Sequence, residues 1–190
     1  MPPKQKITKE MLLSHALNIA KEQGISAVTS RSVAKSVGCS IQPVFSHFPT
    51  MAELRQATVA YINSKVNAEM LEYQDKPNFI ARTFRLVLNI ARDEPKLFEV
   101  LDFSDSFYSK NLREDMRRWE SSLKVILAFE QEYRLTETEA KDVFLRTFFM
   151  LFGIATMIAT YKIDISNDEA MDMIQRTIDQ MVSIGKVETP

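Results

Sequence analysis

Between Pro95 and Pro190 the chain has only two glycines, Gly153 and Gly185, and it has four glycines and seven prolines in all. A sheet-rich fold needs turn residues every ~8–12 positions, and this sequence does not have them. The chain is therefore read as all-α, with about nine helices arranged as an N-terminal three-helix unit and a larger C-terminal helical unit. With 190 residues, 45 % of them apolar, it can build its core without staples. A single cysteine, Cys39, excludes an intrachain disulfide framework, and two histidines, His15 and His47, are too few for a histidine-rich metal centre.

The helix starts carry the firmest local signals. Thr8 can cap a helix that Gly24 ends, Thr29 a short helix that Gly38 stops, and Ser40 a third of about two turns, Ile41 to Phe48, with Pro43 in its first turn where a missing N–H costs nothing. Thr50 with Glu53, Thr136 with Glu139 and Ser166 with Glu169 have the capping-box spacing ahead of apolar runs. They open a long helix at 51–74, another at 137–161 and a last one ending before Gly185. Between them, helices are expected over 78–93, 95–104 and 108–133. The domain reading is a helix-turn-helix unit at 1–50, a connecting helix at 51–74 and a body at 75–190.

Charge is divided unevenly, although the net charge is only −1. Residues 1–48 hold Lys4, Lys6, Lys9, Lys21, Arg31 and Lys35 against Glu10 and Glu22, whereas residues 75–190 carry 20 acidic and 16 basic side chains. A basic N-terminal unit on an acidic body points to a polyanion partner for the first only. The start, MPPKQKITKE, has no apolar run of the kind a secretory signal needs, and the expectation is a cytoplasmic protein. The uncharged stretch Thr147 to Tyr161 falls short of the ~20 residues that span a bilayer, so it is read as a buried helix and no membrane partner is assigned.

Residues 29–48 have the spacing of a helix-turn-helix. Ala34 allows the two helices to touch, Gly38 allows the tight turn, and Val44, with Val33 and Val37, pins the second helix to the core. The longer pattern Leu12, Leu13, Ala16, Gly24, Thr29, Arg31, Val33, Ala34, Gly38, Ser40, Val44, Phe45, His47, Phe48 and Leu54, in that order and spacing, resembles the N-terminal signature of the tetracycline-repressor-like (TetR) family over roughly the first 55 residues. That resemblance implies a recognition helix at about 40–48 lying in the major groove. Ser40 opens it, and Ile41, Gln42, Pro43 and Ser46 face the base edges, with Gln42 able to pair with adenine through its amide. Thr29, Ser30, Arg31, Lys35 and His47 would hold phosphates. Phe45 stands where the family usually has a phosphate-binding tyrosine, and Met51 where it usually has a lysine; Phe45 and Phe48 are read as core. The plainer alternatives are a solvated position for Gln42 and Ser46, a structural role for His47, a helix-surface side chain for His15 and a small core residue for Cys39.

Ten of the twelve phenylalanines and the single Trp119 follow residue 75. The helix at 137–161 is apolar nearly all round, and in a small domain a second subunit would cover its outer side. A dimer interface is expected at Phe149, Gly153, Thr156, Met157, Met173, Ile174, Ile178 and Met181, and the resemblance implies the same four-helix contact. It also implies an effector pocket, whose lining would come from Phe84, Leu88, Phe98, Phe103, Phe107, Tyr108, Trp119, Phe148, Phe152 and Tyr161; the alternative is that these simply fill the core. Arg82, Arg85 and Arg92 form a polar stripe read as solvated. The sequence offers no glycine-rich phosphate loop, no Ser–His–acid spacing and no metal-ligand cluster, so it assigns no catalytic residue, metal or cofactor, and the chain is not read as an enzyme. The functional expectation is a homodimeric repressor that binds an inverted-repeat operator in double-stranded DNA and is released by a small apolar effector. The alternative is a helical protein-interaction module whose helix-turn-helix does not read DNA.

Overall fold

Thr8, Thr29, Thr50, Thr136 and Ser166 each accept a backbone N–H from the residue three positions on, which fixes where five helices begin. The structure, a computed structural model, describes residues 7–102 and 120–185. Among the described residues there are nine α-helices and no strands. They are α1 (Lys9–Gln23), α2 (Ser30–Val37), α3 (Ile41–His47), α4 (Met51–Leu71), α5 (Phe79–Asp93), α6 (Pro95–Asp102), α7 (Glu120–Tyr133), α8 (Glu137–Tyr161) and α9 (Asn167–Gly185).

Several expected boundaries move. The third helix ends at His47, because Phe48 leaves helical geometry and its side chain turns into the core. The connecting helix ends at Leu71 rather than 74, passing into turns. The last helix runs through Gly185 instead of stopping before it. Residues 103–104, and the expected helix start at 108 with everything to 119, lie outside the described residues.

The capping boxes also differ among themselves. Thr136 and Ser166 complete theirs, each backbone N–H donating to the partner glutamate at 2.7 and 2.8 Å. At Thr50 the glutamate instead takes the threonine hydroxyl, so only half of that box forms. Ser40 occupies its cap position without a side-chain capping bond.

The Glu139 carboxyl is held below its usual range by the Thr136 hydroxyl and then the Thr136 N–H. Glu169 is held down by the Ser166 N–H and then its hydroxyl. A depressed carboxylate contributes stability above its unfolded pKa and loses it as pH falls through the folded value. Thermal melts of the native protein and a Glu139→Gln, Glu169→Gln variant should therefore differ at neutral pH and converge as pH drops below the ordinary carboxylate range. A gap independent of pH would show that the charge of these caps is immaterial.

Leu12, Leu13, Ala16, Ile19 and Ala20 of α1 meet Val28, Val33, Val44, Phe48 and Leu54 in the N-terminal core. In the body, α5 packs on α6, α7, α8 and α9, and α8 buries Val143, Phe144, Thr147, Leu151, Ala155 and Ile158 among its neighbours. By length and composition α8 could cross a membrane, but that buried face is occupied by packed helices. α1 also lies against α6, with Lys21 Nζ 2.9 Å from Glu94.

The arginine stripe is not simply solvated. Arg85 pairs with Asp168 at 2.7 Å, and Arg92 holds the Asn167 side chain and the Ile165 carbonyl, so both tie α5 to the start of α9. Arg82 bonds the Pro77 carbonyl at 3.0 Å.

Candidate nucleic-acid interface and cavity

Gly38 makes the turn between α2 and α3. Its φ of 78° is left-handed, its N–H and that of Cys39 both reach the Ala34 carbonyl at 3.0 Å, and a Cβ added there would meet nothing within 4 Å. The constraint is thus conformational rather than spatial: an L-residue in this region costs about 1–2 kcal/mol. Ala34 and Val44 are buried where α2 and α3 meet, which presents the opposite side of α3 to solvent.

On that outer side Ile41, Gln42, Phe45, Ser46 and His47 are exposed, together with Arg31 and Lys35 of α2, while Pro43 is half-buried. Among the described residues, the side chains of Gln42, Arg31 and Lys35 have no hydrogen-bond or ion-pair partner within the chain, so their donors remain available. Ser46 Oγ donates to the Gln42 carbonyl at 2.9 Å, and His47 Nε2 lies 3.3 Å from the Ile7 carbonyl.

Four expectations change here. Ser30 was expected on a phosphate, but it is buried, with its N–H and hydroxyl directed at the Met51 sulfur at 3.4 and 3.0 Å. Met51, which stands where a lysine is usual, therefore anchors the start of α2. Thr29 spends its hydroxyl on the capping box with Ser32. Phe45, read as core, is 42 % exposed beside Gln42 and Ser46. His15 is not merely a surface side chain, since its Nδ1 lies 2.8 Å from Ser36 Oγ and ties α1 to α2.

The body holds a half-open cavity of about 100 Å³ between α4, α5, α6, α7 and α8. Phe84, Phe98, Phe148 and Phe152 line it as expected. Leu88 and Tyr161 do not: Leu88 is fully buried away from the cavity and Tyr161 is exposed at the end of α8. Phe103, Phe107, Tyr108 and Trp119 lie outside the described residues. The sequence reading missed the polar lining, Asn63, Asn67, Thr83, Ser121 and Ser122. Its signal was the run Asn63, Val66, Asn67, Met70, one helical face on which two asparagines interrupt apolar positions.

Residues 12–58 match the family described as bacterial regulatory proteins, tetR family. That match covers most of α1, all of α2 and α3, and the start of α4, so the N-terminal unit is similar to the DNA-binding unit of that family. It is 28 % identical over 144 residues to the nucleoid occlusion factor SlmA of Vibrio cholerae, across 71 % of this chain and 72 % of that one. Its fold is similar to a TetR transcriptional regulator from Legionella pneumophila (TM-score 0.64, 14 % identity, covering 93 % of this chain and 98 % of that one). A putative transcriptional regulator from Pseudomonas aeruginosa PAO1 is similar too (TM-score 0.66, 11 % identity, 92 % and 90 % covered).

The expected dimer residues separate into two groups. Phe149, Gly153 and Met157 form an exposed stripe along α8, with Met173 exposed on α9 and Met181 half-buried. Ile174 and Ile178 are fully buried within the chain, where no partner could reach them, because they are the residues that hold α9 onto the body. Thr156 is half-buried.

Proposed function

We propose that this chain is a TetR-family protein, a cytoplasmic, ligand-responsive repressor that binds an inverted-repeat operator as a homodimer. The observation that carries it is the outer face of α2 and α3, where the side chains of Gln42, Arg31 and Lys35 stand exposed with no partner inside the chain. Gln42 reads a base edge, Arg31 and Lys35 hold phosphates, and Ile41 and Pro43 supply apolar contact to sugars or thymine methyls. The apolar stripe of Phe149, Gly153 and Met157 with Met173 supports two-fold pairing through α8 and α9. An occupant of the body cavity, touching α4, would bias the separation of the two DNA-binding units through that helix. Such control needs different affinities for the two dimer states. The working division is 1–50 for DNA, 51–74 for coupling and 75–190 for effector and dimer.

The 28 % identity to a nucleoid occlusion factor favours a second reading, in which DNA binding serves occlusion rather than a promoter.

Capture of genomic fragments by the purified protein, followed by affinity measurements over a salt series, tests both. An operator-binding dimer should enrich an inverted repeat at a promoter, with a log–log salt slope of about −0.9 per phosphate contact. Expression of the adjacent gene should rise when the protein is absent. Specific sites whose occupancy leaves transcription unchanged would favour occlusion. A flat salt response with no enriched fragment would overturn DNA recognition by this unit.

A further inference from the structure

Two polar atoms at the cavity have no partner. Asn63, 4 % exposed, leaves Nδ2 unbonded, and Thr83, 5 % exposed, leaves its hydroxyl unbonded; both residues line the cavity, one from α4 and one from α5. The other buried threonines show that this is a choice of environment rather than a habit of the residue. Thr58 and Thr147 each turn the hydroxyl back to the carbonyl four residues earlier, at 2.7 Å, whereas Thr83 makes no such bond. Asn67, on the same face of α4, is already engaged, its Oδ1 accepting the Ser121 N–H at 3.1 Å. A buried donor left unsatisfied destabilises the fold unless something completes it.

The remainder of the lining limits what that something is. Among the described lining residues there is no Asp, Glu, Lys, Arg or His, so a charged ligand would lose its hydration with nothing to replace it. Phe148 and Phe152 stand 4.4 Å apart by ring centroids and Phe98 and Phe152 5.9 Å apart, so much of the lining is aromatic surface, which favours an apolar or aromatic body. At about 100 Å³ the space is near the ~150 Å³ apolar cavity that holds a benzene molecule, not the ~300 Å³ or more of a drug-sized site.

We infer that this cavity takes a small uncharged molecule with an aromatic or short alkyl body and one carbonyl-type oxygen, which accepts hydrogen bonds from Asn63 Nδ2 and the Thr83 hydroxyl. The assignment rests on the effector-responsive reading above and gives that effector a chemical class. It also places the polar contact on α4, the helix that continues from the DNA-binding unit, so the oxygen joins α4 to α5.

Calorimetric titration of the full-length protein tests it with three probes. Acetophenone has the ring and the carbonyl, α-methylstyrene replaces the carbonyl by a methylene of similar shape, and benzoate adds a charge. Acetophenone should bind roughly ten- to a hundredfold more tightly than α-methylstyrene, the range expected for two hydrogen bonds to neutral donors, and benzoate should not bind. Thr83→Val and Asn63→Leu should each remove most of that preference, while the ligand-free variants melt no lower than the native protein, because each replaces an unsatisfied group by an apolar one.

Equal affinity for ketone and hydrocarbon, or no binding of either, would overturn the assignment. So would variants that melt lower with the preference unchanged, the mark of a polar pair that serves only the fold, through a bridging water. DNA binding is measured separately on the captured fragment. A protein that binds DNA but ignores all three probes overturns the ligand class alone. Selective ketone binding without DNA binding supports the ligand class and overturns the regulator.

Discussion

Phe129→Ala is expected to lower stability by about 3–5 kcal/mol, the range for removing a fully buried phenylalanine. For a chain of this size that corresponds to a fall in melting temperature of about 10 °C, at roughly 2–4 °C per kcal/mol. Phe129 is 0 % exposed on α7 and packs between the rings of Phe84 at 6.4 Å and Tyr133 at 5.7 Å. α7 lies against α5 and α8, so the gap would open among packed helices. Phe149→Ala is the control. That ring is 55 % exposed, and its removal should change the melting temperature little at low protein concentration. If α8 pairs across a two-fold axis, the same variant should shift the monomer–dimer equilibrium and make melting depend more steeply on concentration. Circular-dichroism melts at two concentrations, with sedimentation velocity beside them, separate the two effects. A Phe129→Ala protein that melts with the native one would mean that this part of the body is loosely packed.

The contrast between these two phenylalanines shows what the sequence could and could not convey. Both lie in apolar helical runs, and only the packing of neighbouring helices distinguishes a core ring from an exposed one. The caps were legible because each is a local event: a threonine or serine hydroxyl and an N–H three residues away settle it, as at Thr29, Thr136 and Ser166. The turn at Gly38 was legible for the same reason. Ile174 and Ile178 were assigned to a subunit interface because helical spacing identifies an apolar face without saying which body covers it; the chain itself does. Ser30 looked like a phosphate ligand until Met51, twenty-one residues away, was found to take its hydroxyl. Phe45 illustrates the converse. A helix of seven residues has room for one buried anchor, Val44, and the adjacent ring is left outside. The cavity's polar pair was the hardest to foresee, since Asn63 and Thr83 become neighbours of one space only when α4 and α5 fold together.

Replacing Arg31 and Gln42 together by alanine is expected to reduce affinity for the captured operator on the order of 10³-fold, and to leave the fold untouched. Each bidentate base contact contributes about 1–3 kcal/mol of discrimination, and a two-fold dimer loses it twice. Loss of Arg31 removes one phosphate contact per subunit, so the log–log salt slope should become shallower by about 2. Both side chains are exposed and unpartnered within the chain, and surface changes of this kind shift stability by no more than about 0.5 kcal/mol. Lys35→Ala separates the two roles: it should weaken operator and unrelated DNA alike, whereas Gln42→Ala alone should weaken the operator and spare unrelated sequence. Fluorescence anisotropy with both duplexes, at two salt concentrations, resolves these outcomes. If the double variant binds as the native protein does, the outer face of α3 does not read DNA. The exposed ring of Phe45, beside Ile41 on that same face, then becomes the centre of an apolar surface better suited to another protein, and the interaction-module reading takes precedence.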